Sequence, residues 1–147
     1  LSLHDALPIL GLDDALRELC WELKETTNVN IYYDGVADLP LTTAAAIPFY
    51  RLAQEAFNNI ALRAKATNVW VSLNQDKQYV ILDIRDDGRG FDSNGAITYP
   101  IHAPTIGMFG WMIHFLNQGG FVSISSTPEQ GTTVIGRLPL LLDDGYE

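Results

Sequence analysis

The sequence predicts a two-layer α+β sandwich, in which one mixed, mostly antiparallel sheet packs on about three helices. Three observations predict it. Segments with apolar residues at helical spacing alternate along the chain with short runs of alternating polarity. The later strands come in pairs with short connections, the mark of antiparallel hairpins and not of a doubly wound parallel sheet. Neither an internal repeat nor a domain boundary shows after residue 10, so the 147 residues are expected to share one core.

In chain order, residues 12 to about 26 place Leu12, Leu16, Leu19, Cys20 and Leu23 at helical spacing, and Asp13 and Asp14 favour the first turn. Residues 28–33 alternate and read as a strand, followed by a turn-rich loop over 35–40. A second helix is expected from about 43 to 64, with Tyr50, Ala53, Phe57, Ile60 and Ala61 on its apolar side. Residues 69–73 and 79–85 form an antiparallel hairpin. Residues 93–105 are irregular and hold Gly95, Pro100 and Pro104. A third helix over 107–118 is ended by Gly119 and Gly120. Residues 121–125 and 132–138 close the chain as a second hairpin.

Composition narrows the function classes. Apolar residues make up 47% and charged residues 18%, as in a globular and not a disordered chain. A net charge of −9, with only 9 scattered Lys and Arg, argues against a nucleic-acid partner, because that binding rests on clustered cations. Cys20 is the single cysteine, which excludes an internal disulfide and a cysteine-cluster metal site. Its neighbours Leu19, Trp21 and Leu23 mark it as a helix-core residue. No apolar stretch approaches the roughly 20 residues of a spanning helix, and residues 138–142 are far too short.

The most informative stretch is Asp86-Asp-Gly-Arg-Gly90-Phe, directly after the strand at 79–85. An acidic residue at a strand end, followed by Gly-x-Gly, sets a carboxylate acceptor beside a backbone that can approach a flat ligand closely. Alone, such a turn is common. Upstream, however, lies Gln54-Glu55-Ala-Phe-Asn-Asn59-Ile-Ala-Leu-Arg63-Ala, where Glu55, Asn59 and Arg63 recur every four residues along one helix stripe. Without its companions that stripe is an ordinary solvated face. Downstream lie Ile106-Gly107-Met-Phe-Gly110 and Glu129-Gln-Gly131-Thr-Thr133. In this order and spacing, over about residues 10 to 140, the four segments resemble the motifs of the GHKL (Bergerat-fold) ATPases. Within that group they are most similar to the catalytic domain of bacterial sensor histidine kinases, in the subfamily paired with LuxR-like response regulators.

The resemblance implies a site for Mg-ATP. It implies that Asn59 binds magnesium, a hard ion suited by a neutral amide oxygen, and that Glu55 assists the attacking group or a metal-bound water. Asp86 would accept a hydrogen bond from the adenine amine, with Asp87 the alternative if the register slips by one, and Gly88 and Gly90 would leave room for the base. Arg63 stands where relatives commonly have histidine and would hold phosphate. Gly107 and Gly110 would offer the start of the third helix to phosphate, and Thr132 and Thr133 match the position that closes the site beneath the base. Here the pattern departs from the family: Thr105 and Ile106 replace a Gly-His pair, and Trp111-Met112-Ile113-His114 replaces a basic and acidic run. His102 and His114 read as surface residues, not ligands. Residues 93–105 correspond to the lid over the triphosphate, and Tyr99, Pro100 and Ile101 make it unusually apolar.

The resemblance also implies that the γ-phosphate passes to a histidine on a dimerisation domain of the same protein, and from there to a response regulator. The piece itself is expected to be monomeric and cytoplasmic, whether or not the full protein is membrane-anchored. Residues 1–9 look like a translated frame of a sequencing adapter and are expected to be a non-native leader, with 10–142 the ATPase domain and 143–147 a tail. His4 is not expected to be the phosphoacceptor: in the family the His-Asp pair lies many tens of residues further upstream, and Pro8 is expected to break a helix there. Two other readings stay open, a GHKL module that has lost its nucleotide and serves protein–protein signalling, and another GHKL ATPase or serine kinase.

Overall fold

Leu12, Ala15, Leu16, Leu19, Cys20 and Leu23 are all buried, and they fix how the first helix lies on the rest of the chain. The computed structural model describes residues 3–90 and 106–140. Helix α1 (Leu3–Thr27) is interrupted at Gly11, where φ is +78°. The interruption expected at Pro8 therefore falls three residues later, at the residue that adopts positive φ without a Cβ penalty. Burial pushes the Cys20 thiol up to about 12, with a smaller opposing pull from Arg17, so it is inert at neutral pH.

Asn28 sits at φ +62° and donates its amide to the Lys24 carbonyl at 2.9 Å, a left-handed helix cap. For this reason strand β1 (Asn30–Gly35) begins two residues later than the alternation at 28 suggests. The Tyr33 hydroxyl donates to Asp13 Oδ1 at 2.7 Å and ties β1 to α1. Helix α2 (Thr43–Asn59) is capped by Thr42, whose hydroxyl accepts the Ala45 amide at 3.1 Å. The expected helix to residue 64 is completed by a π turn (Ile60–Ala64).

Strands β2 (Asn68–Gln75) and β3 (Tyr79–Asp86) form the first hairpin. After helix α3 (Ile106–Asn117), β4 (Phe121–Thr127) and β5 (Gly131–Pro139) form the second. The sheet order is β1-β2-β3-β5-β4, with β1 parallel to β2 and every other pair antiparallel. This is the expected mixed, mostly antiparallel sheet.

The helices cover one face. Val69, Val71 and Leu73 of β2 and Val80, Leu82 and Ile84 of β3 are buried beneath them, together with Val134 and Leu138 of β5. Phe49 of α2 meets Phe115 of α3 edge-to-face at 5.1 Å, a pairing worth about 1 kcal/mol beyond its area. Gly136 of β5 makes that possible, because a side chain there would run into Leu52 and Phe115. On the other sheet face Tyr32 stacks on Trp70 at 6.0 Å and the Arg85 guanidinium lies 4.8 Å over the Trp70 ring. Among the described residues, no helix is long and apolar enough to cross a membrane.

Candidate functional site

Strand β3 runs out at two neighbouring aspartates, and the structure gives them different work. Val80, Leu82 and Ile84 turn toward the helices, so Asp86 is the next residue in that alternation and is buried, 6% exposed. Its Oδ1 accepts the Gly88 amide at 2.8 Å. Burial holds the Asp86 carboxyl above the usual carboxylate range. The Gly88 amide opposes this, the Asp87 charge adds to it, and the Thr132 amide opposes it again.

Asp87 is consumed by the fold. Its Oδ1 accepts the amides of Thr67 and Asn68, each at 2.8 Å, and its Oδ2 accepts Asn68 Nδ2 at 2.9 Å. What desolvation it suffers pushes its carboxyl up, but these bonds win and hold it below the ordinary value. Asp87 therefore clamps the start of β2 to the end of β3, and Asp86 is the carboxylate left facing inward.

The glycines that follow are required by close backbone approaches. A Cβ on Gly88 would collide with the Ala64 carbonyl at the end of the π turn, and the Arg89 amide donates to that same carbonyl at 2.7 Å. Gly90 has φ +60°, and a Cβ there would strike the Thr127 carbonyl and come within 3.0 Å of Ser126 Oγ. Gly131, at φ +94°, lies against the Asp86 carbonyl, and the Glu129 amide donates to the Arg89 carbonyl at 2.6 Å. The tip of the second hairpin and the end of α2 are thus both locked onto the loop after Asp86.

Asn59 is the last residue of α2. Its Oδ1 is buried and has no hydrogen-bond partner among the described residues. Arg137 Nε is the other such atom, but Arg137 lies at the opposite end of β5, with its guanidinium 5.1 Å over the Phe121 ring. Glu55 is half-buried one turn before Asn59. Arg63, four residues further on, falls in the π turn and is exposed.

Cross-strand register decides between the two threonines. Thr132 pairs with Asp86 and so shares its face, while Thr133 pairs with Arg85 and Ser125 on the other face. The structure brings Thr132 to Asp86 and takes Thr133 away from it. Ser126 is a residue the sequence did not single out. It is 6% exposed, its hydroxyl donates to the Gly131 carbonyl at 2.9 Å, and it lies 2.8 Å from Thr132 Oγ1. Nothing in Phe121-Val-Ser-Ile-Ser-Ser126 distinguishes it from its neighbouring serines; only the fold does.

Gly107 and Gly110 lie in the first turns of α3. This helix hands over to β4 at Gly119 and Gly120, the end of the sheet remote from Asp86, so its first turn is at its other end. A Cβ on Gly110 meets no atom within 4 Å among the described residues. Ile113 and Leu116 on the same helix are 57% and 60% exposed. The lid at 93–105, with His102, and the tail at 143–147 lie outside the described residues. Among the described residues, no cluster of three or more His, Cys, Asp or Glu could hold a metal ion.

A buried inward carboxylate at the end of β3 and a glycine loop locked onto the second hairpin and the π turn sit on a mixed five-stranded sheet covered on one face by helices. Residues 44–142 match the family described as histidine kinase-, DNA gyrase B- and HSP90-like ATPases, and the chain belongs to that family. It is 33% identical over 142 residues to the sensor histidine kinase MctS of Rhizobium johnstonii, covering 92% of this chain and 30% of that protein. It is 24% identical over 137 residues to the sensor protein VraS of Staphylococcus aureus, covering 93% of this chain and 38% of that one. The chain therefore spans about a third of the length of these curated relatives. The fold matches the histidine kinase domain of the blue-light-activated histidine kinase EL346 of Erythrobacter litoralis, with a TM-score of 0.71 at 15% identity. That match covers 94% of this chain and 70% of the other.

Proposed function

We propose that this chain is the ATP-binding catalytic domain of a sensor histidine kinase, acting with a response regulator of the LuxR-like class. Asp86 accepts the adenine amine, Gly88 and Gly90 admit the base, and Thr132 lines the same face. The start of α3, at Gly107 and Gly110, faces phosphate with free amides and the positive end of the helix dipole. Asn59 offers its amide oxygen to magnesium; a buried oxygen with no hydrogen-bond partner among the described residues suits a hard cation. Bound there, the ion supplies charge neutralisation on the phosphates. Glu55, one turn away, orients the attacking group. The γ-phosphoryl moves to a histidine nitrogen on a dimerisation domain of the same protein, and ADP leaves; the chain's share is positioning and electrostatics.

The observation that carries this reading is the division of labour at the end of β3, where Asp87 accepts three hydrogen bonds from the start of β2 and its edge while Asp86 is buried facing inward. Calorimetric titration with ATP, with and without magnesium, tests it. Saturable binding, strengthened by magnesium and weakened by about 10- to 100-fold in Asp86→Asn, is expected.

A second reading has its own observation. The absent Gly-His pair and the exposed Ile113 and Leu116 on α3 fit a module that has given up phosphate for protein contacts. Absence of ATP binding by the intact, folded chain would select it.

A further inference from the structure

A hydroxyl has one proton to give, and around Ser126 that count has a consequence. The Gly131 carbonyl can only accept, so the 2.9 Å contact to it takes the Ser126 proton. Ser126 Oγ is also 2.8 Å from Thr132 Oγ1, where either atom is able to donate. With the serine proton committed, both contacts are hydrogen bonds in only one arrangement: Thr132 donates to Ser126. The lone pairs of Thr132 are then what it has left for the site. Thr132 is the direct cross-strand partner of Asp86, whose carboxylate also only accepts.

We propose that Ser126 is a positioning residue that fixes the Thr132 hydroxyl as an acceptor, so that Asp86 and Thr132 present an all-acceptor edge selective for a base carrying an amino group over one carrying a carbonyl. This rests on the nucleotide reading above and extends it to a residue two strands from the glycine motif. Ser126 is held for the purpose from three sides: by the Gly131 carbonyl, by Thr132, and by the close approach of Gly90.

The test compares ATP with inosine triphosphate, which replaces the amine by a carbonyl and places a proton on N1, by calorimetry on the intact chain. Wild type is expected to prefer ATP. In Ser126→Ala the freed Thr132 proton can turn to a carbonyl, so the ratio of the two Kd values should fall by about tenfold, the scale of one hydrogen bond. Ser126→Thr, which keeps the hydroxyl, should keep the ratio. On a Thr132→Val background, Ser126→Ala should move the ratio no further, because the effect runs through Thr132. A folded Ser126→Ala with an unchanged ratio overturns the inference, as does an equal change with and without Thr132. If Ser126→Ala does not fold, Thr132→Val alone decides, and an unchanged ratio there overturns it equally. Should wild type bind neither nucleotide, the nucleotide reading fails and this inference with it; preference for ATP with no response to Ser126 sinks this inference alone.

Discussion

The two ends of the site use glycine for opposite purposes. Around Asp86, the absent side chains of Gly88, Gly90 and Gly131 are replaced by protein: the carbonyls of Ala64, Thr127 and Asp86 occupy that space. On α3, the space beside Gly110 is empty among the described residues. Glycine around Asp86 is therefore a condition of folding, whereas glycine on α3 leaves room for something else. Asp86, to which the proposed function gives the base, is built into the ladder that holds the sheet together, so on that reading it is preorganised before any ligand arrives.

Substitutions can break this comparison, and the largest effect is expected at Gly131. Gly131→Ala meets both a positive φ and the Asp86 carbonyl, and should lose about 3 kcal/mol or more in a urea melt, combining backbone strain with a collision. A loss under about 1 kcal/mol would show that the hairpin tip is free to shift.

Asp86→Asn comes next. It should weaken ATP binding by about 10- to 100-fold, the scale of a hydrogen bond to a charged group. Its stability effect has the opposite sense. Because burial raises the folded carboxyl, the group favours the folded state only at low pH, and that contribution is lost as pH rises through the raised value. At neutral pH without nucleotide, Asp86→Asn is expected to melt no lower than wild type.

Asp87→Ala should do the reverse: leave the base contact intact and cost about 1–2 kcal/mol, since three bonds are lost from an exposed, partly screened group. Its folded carboxyl lies below the ordinary 3.8. Its contribution is therefore full above that value and fades as pH falls through the lower folded one. The wild-type advantage over Asp87→Ala should shrink in acid and hold at pH 7, as followed by thermal melts across pH.

Gly110→Ala sharpens the contrast from the other end. In an exposed helix position the fold should gain up to about 1 kcal/mol, while ATP binding weakens. An unaltered ATP affinity would remove Gly110 from the site. The smallest effect is expected from Thr133→Val, which changes the far face of the sheet and should alter ATP affinity by less than about twofold.

The sequence made both hairpins, the helix count and the mixed sheet legible, because those follow from local alternation and spacing. What it hid has a common physical cause: partners distant along the chain. The role of Asp87 depends on Thr67 and Asn68, and that of Ser126 on Gly131 and Thr132 across a strand pair. Thr132 and Thr133 were indistinguishable as a motif and separate at once by strand parity. Asn28 alternates like a strand residue but serves as a helix cap, and Gly11, not Pro8, interrupts α1. Even spacing runs α2 unbroken to residue 64, and the turn of different pitch over Ile60–Ala64 is not legible in it.

That turn has one more consequence. A π turn inside a helix holds one residue more than the α-helical path between the same two points. Here the surplus lies among residues 60–64, where Leu62 is 76% exposed and so is the residue most easily spared from the core. Deleting Leu62 would let α2 run on as an ordinary helix, at a gain in regularity. It would also carry the Ala64 carbonyl out of reach of the Arg89 amide and unseat the loop that follows Asp86. One extra amino acid, conspicuous only as a greasy side chain in water, acts as the shim that sets how far the end of α2 stands from the end of β3.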